Sequence, residues 1–251
     1  MPTHITARVN AVRGDDGGAL HDRVISYLRD SRIEDFKDAL QELPKFLWGW
    51  CDGYTARMLC PQKYLLRFDD NALEFCQMVL AGPEGDDKFI LQGGNFPSFL
   101  YDQNLADPED SLKGLLWSPY FLTYYKSLWT GPSSARLPTG HNEKTSGCPP
   151  IAWANSFLKV TPRTLAYTTV QVQYELTSRT AWSTVDVGGF DSHELYEELV
   201  GLFSDKESEW CCETLVWWQK QVFTNVPDTQ SGGCPIRGSG PMAVAEELHA
   251  R

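Results

Sequence analysis

The chain has 251 residues, of which 42% are hydrophobic, 12% aromatic and 22% charged. This composition is sufficient for a buried core and excludes a disordered chain, a collagen and a disulfide-stapled miniprotein. The formal net charge is −11, with the acidic excess in the middle of the chain, so we expect direct nucleic-acid binding to be unfavourable. No run approaches the roughly 18 apolar residues of a membrane-spanning helix, and the first residues lack the apolar segment of a secretory signal.

In the first fifth of the chain, apolar residues recur at helical spacing over two stretches, Leu20–Leu28 and Ile33–Leu43. Pro44 stops the second stretch. Residues 1–12 precede any such pattern, and we predict that they form an N-terminal arm.

A further helix is predicted to begin at Asp69, which has the character of an N-cap. Phe68 and Leu73 stand where a hydrophobic staple would place them, on either side of the helix start. Gly82-Pro83 is a typical helix stop, because glycine suits the C-terminal cap and proline cannot continue a helix.

Ser118-Pro119 is predicted to be an N-cap followed by the first helical residue. The segment after it, residues 120–129, is apolar on most of its circumference and ends at Gly131-Pro132. A helix of this kind is expected at the centre of a core.

Residues 161–177 carry two conflicting signals. Thr161-Pro162 opens like a helix, whereas Val170, Val172 and Tyr174 alternate with polar residues as in a strand. The start signal and the lack of a partner strand nearby favour helix, and strand remains the alternative.

The strongest helix signal begins at Asp191, which is paired with Glu194 as a capping box and flanked by a Phe190–Leu195 staple. A short link, 204–206, separates it from a second amphipathic stretch, and we predict an antiparallel hairpin of residues 191–203 and 206–223. The side chains predicted to be buried against the 119–129 helix are Leu195, Leu199, Leu202, Leu215 and Trp218.

The predicted fold is therefore mainly α: a single irregular helical domain over 13–225, with long loops and the C-terminal hairpin. Residues 83–113 and 130–158 are rich in Gly, Pro, Asn and Asp and are predicted to be long irregular connections. Residues 226–251 have little apolar content, and we expect a disordered C-terminal tail.

The seven cysteines form no Cys-x-x-Cys pair, and Cys211 and Cys212 are adjacent, which suits neither a mutual disulfide nor zinc. Reduced thiols in an intracellular protein, cytoplasmic or nuclear, are the simplest prediction. Cysteine precedes proline at Cys60, Cys148 and Cys234, a step that occurs in some haem-sensing segments. Two of these Cys-Pro pairs, at Cys148 and Cys234, lie in Gly/Ser-rich loops where proline is common. We therefore predict no haem and no other cofactor.

No catalytic motif is evident. His193-Glu194 begins like the HExxH zinc-protease helix, but Glu197 replaces the second histidine, and the capping role already accounts for Glu194. Arg13-Gly14-Asp15 is the adhesion tripeptide and lies in a sequence typical of a turn. A nucleophile elbow of the form GxSxG is lacking, and we predict no metal site and no catalytic residues.

Several short motifs in a fixed order resemble a fungal family known as a domain of unknown function, numbered 6698. They run from about 13 to 223 and include Arg13-Gly14-Asp15-Asp16, Tyr54-Thr55-Ala56-Arg57-Met58-Leu59-Cys60-Pro61, Phe96-Pro97-Ser98-Phe99-Leu100-Tyr101, Gly114-Leu115-Leu116, Thr130-Gly131-Pro132-Ser133-Ser134 and Trp217-Trp218-Gln219-Lys220-Gln221-Val222-Phe223. This chain departs from the family pattern at Gly131 and Gln219, where Ser and Asn are more frequent. The resemblance implies a single domain in mushroom-forming fungi, an alanine-rich helical version of 161–177 in relatives, and no established activity.

Three functions remain open. We favour a non-enzymatic interaction or scaffold protein that binds an unknown protein partner through its loops or its acidic face. The second is an unrecognised enzyme or a small-ligand or anion-binding protein. Its candidate ligand-binding residues are Lys126, Ser133, Ser134, Arg163, Tyr167 and Gln171, which surround the two most buried segments. The third is a factor associated with a mobile element, which the negative charge opposes.

Overall fold

A computed structural model describes residues 44–82, 91–135, 152, 159–181, 185 and 189–223. The protein is mainly helical, as predicted, and the described residues contain α-helices and short 3-10 turns but no strand. Their buried hydrophobic side chains, from Trp48 to Phe223, form one cluster. The predicted arm 1–12, the two helical stretches before Pro44 and the tail 226–251 lie outside the described residues.

Eight α-helices are described. They are α1 Gly53–Leu59, α2 Leu65–Asp70, α3 Ala72–Ala81, α4 Pro119–Trp129, α5 Pro132–Ala135, α6 Pro162–Leu176, α7 Ser192–Gly201 and α8 Glu209–Val222. Single 3-10 turns occupy Lys45–Leu47, Gly49–Cys51, Gln62–Tyr64 and Ser98–Leu100. The predicted long connections are thus interrupted by the buried turn Ser98–Leu100 and by α5.

The predicted start of the third helix was wrong. Asp69 lies inside α2, and the N-cap of α3 is Asn71, whose side chain accepts a hydrogen bond from the Glu74 backbone N–H. Leu73 is 71% exposed, so it does not staple to Phe68. The sequence places three cap-forming residues in a row, Asp69, Asp70 and Asn71, and α3 begins after the last of them, where Phe68 and Phe75 pack edge to face. The predicted stop at Gly82 is confirmed, with φ of 63°.

The starts of α4 and α6 are as predicted. The Ser118 side chain accepts a hydrogen bond from the Phe121 N–H, and Pro119 is the first residue of α4. Thr161 and Thr164 form a capping box at the start of α6. Residues 162–176 are helix and not strand; their alternating apolar residues are compatible with helix because α6 is buried on most of its circumference.

Helices α4 and α6 lie side by side at the centre of the core and run in the same direction. The Tyr125 hydroxyl donates to Thr164 Oγ1 at 2.9 Å, and four residues later Trp129 Nε1 donates to Thr168 Oγ1 at 2.9 Å. The two contacts are four residues apart on each helix and occur in the same order along both, so α4 and α6 are parallel.

The C-terminal region has the predicted order of helix, link and helix. Phe203, which follows α7, packs on Trp210 in the first turn of α8, with ring centroids 5.2 Å apart. Helix α7 packs on α6, and Leu195 and Leu199 are buried. Trp218 packs on α4 as predicted, with its ring 5.4 Å from Phe121 and 4.9 Å from Tyr125, whereas Leu202 and Leu215 are only half-buried.

One side of α8 holds the loop 112–118 by hydrogen bonds at a spacing of four residues. Trp210 Nε1 donates to the Leu112 carbonyl, Trp117 Nε1 donates to Thr214 Oγ1, and Trp218 Nε1 donates to the Leu116 carbonyl. Leu116 is fully buried at φ of 63°, a left-handed conformation that is unfavourable for leucine. Its burial and the Trp218 hydrogen bond hold this loop in place.

Candidate functional site

The six predicted ligand-binding residues divide by burial. Ser133 and Arg163 are exposed, and Tyr167 is half-buried with its ring in edge contact with Trp129. Lys126, Ser134 and Gln171 are buried.

Two of the three buried residues lie where α4 turns into α5. The Thr130 hydroxyl donates to the Lys126 carbonyl at 2.8 Å and is 2.6 Å from the Ser134 hydroxyl, which donates to the Gly131 carbonyl. These bonds close the turn, so Ser134 has a structural role. Burial lowers the pKa of Lys126, because removal from water disfavours its charged form.

The third, Gln171, belongs to a polar stripe on α6. We use this name for Thr164, Thr168, Gln171 and Glu175, which recur at steps of four, three and four residues and therefore share one side of the helix. All four are at most 2% exposed. A helix side that faces a protein core is normally apolar, so a buried polar stripe requires partners for each of its side chains.

Three members of the stripe have such partners. Thr164 accepts from Tyr125, and Thr168 accepts from Trp129, as described above. Both threonine hydroxyls also donate to backbone carbonyls, that of Thr164 to Thr161 and that of Thr168 to Thr164. The first half of the stripe is thus fully hydrogen-bonded.

At the other end, Glu175 is paired with Lys45. The Lys45 ammonium lies 3.3 Å from the Glu175 carboxylate and also donates to the backbone carbonyls of Tyr174 and Glu175. It therefore neutralises a buried charge and caps the C-terminal end of α6 at the same time. The same ammonium is 5.3 Å from the centroid of the Trp48 ring, within cation–π range.

Gln171 is the exception. Its side chain is buried, with 1% exposure for the residue, and within the part of the chain that the structure describes neither the amide nitrogen nor the amide oxygen has a hydrogen-bond partner. An unpartnered buried polar group costs about 1–3 kcal/mol. Methionine would fill a similar volume without that cost, so the amide calls for a physical explanation.

The sequence patterns identified Gln171 but missed the stripe that contains it. The apolar alternation over 170–176 emphasises the even positions, which are apolar, over the polar residues at helical spacing. Lys45 was also missed, since it is about 130 positions from Glu175 in the chain. The signal that would have found the stripe is the recurrence of polar residues at the helical steps of α6.

The motif at His193 is explained by capping. The Asp191 side chain accepts from the backbone N–H groups of His193 and Glu194, as predicted for an N-cap. The Glu194 carboxylate does not return to Asp191 as a capping box requires; it accepts from the Gly93 N–H at 2.9 Å. A side chain on Gly93 would meet the first turn of α7 at 2.5 Å, so this contact depends on glycine.

In the part of the chain that the structure describes, five cysteines are thiols that form no disulfide. Burial raises the pKa of Cys60 far above its usual range and that of Cys76 to about 11. Both are therefore protonated at neutral pH and are poor nucleophiles and metal ligands. Cys148 and Cys234 lie outside the described residues. No cluster of metal-ligating side chains is found among the residues that the structure does describe.

The surface of α7, the following link and α8 is strongly acidic. Apart from Glu194, which contacts Gly93, the exposed carboxylates there belong to Glu197, Glu198, Asp205, Glu207, Glu209 and Glu213. The exposed ammonium groups of this region are those of Lys206 and Lys220. Among the described residues, the ion pairs involve none of these six carboxylates. We call this set the acidic surface.

The chain belongs to the family of unknown function DUF6698, whose model matches residues 7–223. The match contains both the polar stripe and the acidic surface. Comparison with curated proteins and with solved structures gives no match. None of the described helices is long and apolar enough to cross a membrane.

Proposed function

We propose that this protein is a non-enzymatic interaction protein whose acidic surface binds a protein partner with a basic surface. The observation that carries the proposal is the set of exposed carboxylates on α7 and α8 without ion pairs among the described residues. Unneutralised charge of one sign accelerates association with an oppositely charged partner and disfavours partners of the same sign. It also opposes binding to phosphate backbones.

Two further features support an interaction role over catalysis. The buried thiols of Cys60 and Cys76 are protonated at neutral pH, because burial raises their pKa values. The six residues predicted to form a ligand site are split between surface and core, whereas catalysis requires its groups to converge on one reacting atom.

Charge reversal tests the proposal. Glu197→Lys combined with Glu213→Lys changes two exposed positions in the middle of α7 and α8. Asp70→Lys combined with Glu109→Lys makes the same charge change at exposed positions outside the acidic surface and serves as the matched control. Proximity labelling in cells that express the chain should recover basic proteins with the wild type and the control but at least tenfold less with the first pair.

Reconstitution then makes the test quantitative. Each recovered protein is purified, and its Kd for the wild type and both variants is measured between 50 and 300 mM salt. We expect the wild-type affinity to fall steeply with salt and the Glu197/Glu213 variant to show a shallower dependence. Equal binding by all three proteins, or a turnover reaction abolished by one point substitution, would refute the proposal.

We further propose a fungal, intracellular setting, cytoplasmic or nuclear. The described cysteines are thiols rather than disulfides, which is typical of a reducing compartment, and the family resemblance suggests fungi. Fluorescent tagging at each terminus in a mushroom-forming fungus would test the location. Secretion into the medium would contradict it.

A further inference from the structure

We infer that the amide of Gln171 is the binding site for a small, neutral, hydrogen-bonding molecule enclosed in the core beside α6. The ligand must accept a hydrogen bond from the amide N–H₂ and donate one to the amide oxygen. Water satisfies this chemistry, and so does a small metabolite with an amide or hydroxyl group. The inference is independent of the proposed interaction function, because it concerns the interior and not the acidic surface.

The first argument is the completeness of the stripe around Gln171. Thr168, one turn before it, is bonded to Trp129, and Glu175, one turn after it, is bonded to Lys45. Among the described residues of α6, Gln173 also has a buried amide oxygen without a hydrogen-bond partner, whereas Gln171 lacks a partner for both amide atoms. Both of its amide atoms lack a protein partner among the described residues, so the gap has a donor and an acceptor to fill.

The second argument is the register of α4 against α6. Tyr125 faces Thr164 and Trp129 faces Thr168, so the next turn of α4 would lie opposite Gln171. The helix ends at Trp129, and Gly131, with φ of 95°, turns the chain away into α5. The row of partner side chains therefore stops one turn before the stripe does.

The third argument is the type of amino acid. Buried polar groups in proteins are almost always paired, with protein or with ordered water, and internal water typically makes two to four hydrogen bonds to such groups. A primary amide without a partner is less favourable than an apolar side chain of similar size at the same position. A bound molecule that completes its hydrogen bonds removes that penalty.

Two measurements on the unmodified protein distinguish the sources of the ligand. In NMR spectra with selective side-chain amide labelling, the Gln171 N–H₂ protons should show a cross-relaxation peak either at the water frequency or at that of a retained small molecule. Denaturing extraction followed by mass spectrometry identifies a retained molecule, and water oxygen-17 relaxation dispersion counts long-lived internal waters.

Substitution supplies the third measurement. Gln171→Met should abolish the cross-relaxation peak, remove one long-lived water or the extracted molecule, and lower the melting temperature by several degrees. Val216→Ala, at an exposed position on α8, is the control and should leave all three readouts unchanged. If the wild type shows neither a long-lived water nor a retained molecule at Gln171, or if Gln171→Met melts higher than the wild type, the inference is wrong.

Discussion

The two sides of the core that meet at Tyr125 are built on different principles. On one side, the Tyr125 ring packs on Trp218, which is fully buried among aromatic rings and whose single polar atom donates to the Leu116 carbonyl. On the other side, the Tyr125 hydroxyl donates to the polar stripe of α6. The aromatic side has large buried area and one hydrogen bond to satisfy, whereas the stripe has four polar side chains.

The difference separates stability from candidate function. Burial of a large ring stabilises a fold without further conditions, because the hydrophobic contribution is proportional to the area removed from water. A buried polar stripe contributes only if each group is paired, and it is costly where pairing is incomplete. The aromatic side is therefore expected to carry most of the stability, and the stripe is where an enclosed ligand finds specific hydrogen-bonding groups.

The largest expected effect tests the aromatic side. Trp218→Ala removes a fully buried ring and should lower the free energy of unfolding by about 3–5 kcal/mol. Urea denaturation followed by circular dichroism measures it. Val216→Ala on the same helix, at a position 52% exposed, should stay within about 0.5 kcal/mol of the wild type. Comparable losses in the two variants would show that α8 does not contribute a core face.

The next effect tests the charged end of the stripe. Lys45→Met removes the ammonium that lies 3.3 Å from the carboxylate of Glu175, a residue only 2% exposed, and should cost about 3 kcal/mol. Combining it with Glu175→Gln removes the buried charge and should recover most of the loss. The exposed Arg57–Asp69 pair is the comparison, and Asp69→Asn should cost only about 0–1 kcal/mol. If the double variant is no more stable than Lys45→Met, the penalty is not the unpaired charge.

A smaller effect tests the residue that joins the two sides. Tyr125→Phe keeps the ring against Trp218 but removes the hydroxyl bonded to Thr164, and should cost about 1 kcal/mol at neutral pH. Burial raises the pKa of Tyr125 in the folded protein well above the usual value of about 10.

The raised pKa of Tyr125 fixes the sign of the pH dependence. Below pH about 10 the hydroxyl is protonated in both states; above it, the unfolded chain ionises and the folded protein does not, so stability falls as pH rises. Urea midpoints at pH 8 and at pH 10.5 should therefore differ less for Tyr125→Phe than for the wild type. Burial also raises the pKa values of Tyr101 and Tyr120, so the wild type and Tyr125→Phe should both lose some stability at pH 10.5. An identical loss would mean that Tyr125 does not contribute.

Local sequence signals predict where several of the helices begin. Ser118, Thr161 and Asp191 were identified as N-caps because each precedes a run at helical spacing, and a cap acts within one turn of its own residue. The choice of Asn71 over Asp69 was missed, since it depends on how Phe68 meets Phe75 across two helices. Local sequence identifies the residues that could be an N-cap, and tertiary packing determines at which of them the helix begins.

Contacts across long sequence separation could not be predicted in the same way. Lys45 with Glu175 and Gly93 with Glu194 join residues more than 100 positions apart. In the sequence alone, Lys45 and Glu175 look like ordinary solvent-exposed charges, and Gly93 looks like an ordinary loop glycine. Gln171 was identified only because it lies in a buried segment, and its lack of a partner is visible only once its neighbours are in place.

An effect of about the same size as that of Tyr125→Phe, and a smaller one for the conservative variant, compare a polar contact at a helix start with the buried ones. Asp191→Ala removes two side-chain hydrogen bonds to the first backbone N–H groups of α7 and should cost about 1 kcal/mol. Asp191→Asn keeps a side-chain oxygen at the cap and should cost less, so the pair isolates the cap from the loss of charge. Both are measured with Trp218→Ala in one urea series. A loss for Asp191→Ala as large as that for Trp218→Ala would mean that the start of α7 holds the fold more strongly than the aromatic side does, and would reverse the assignment of stability drawn from the two sides of Tyr125.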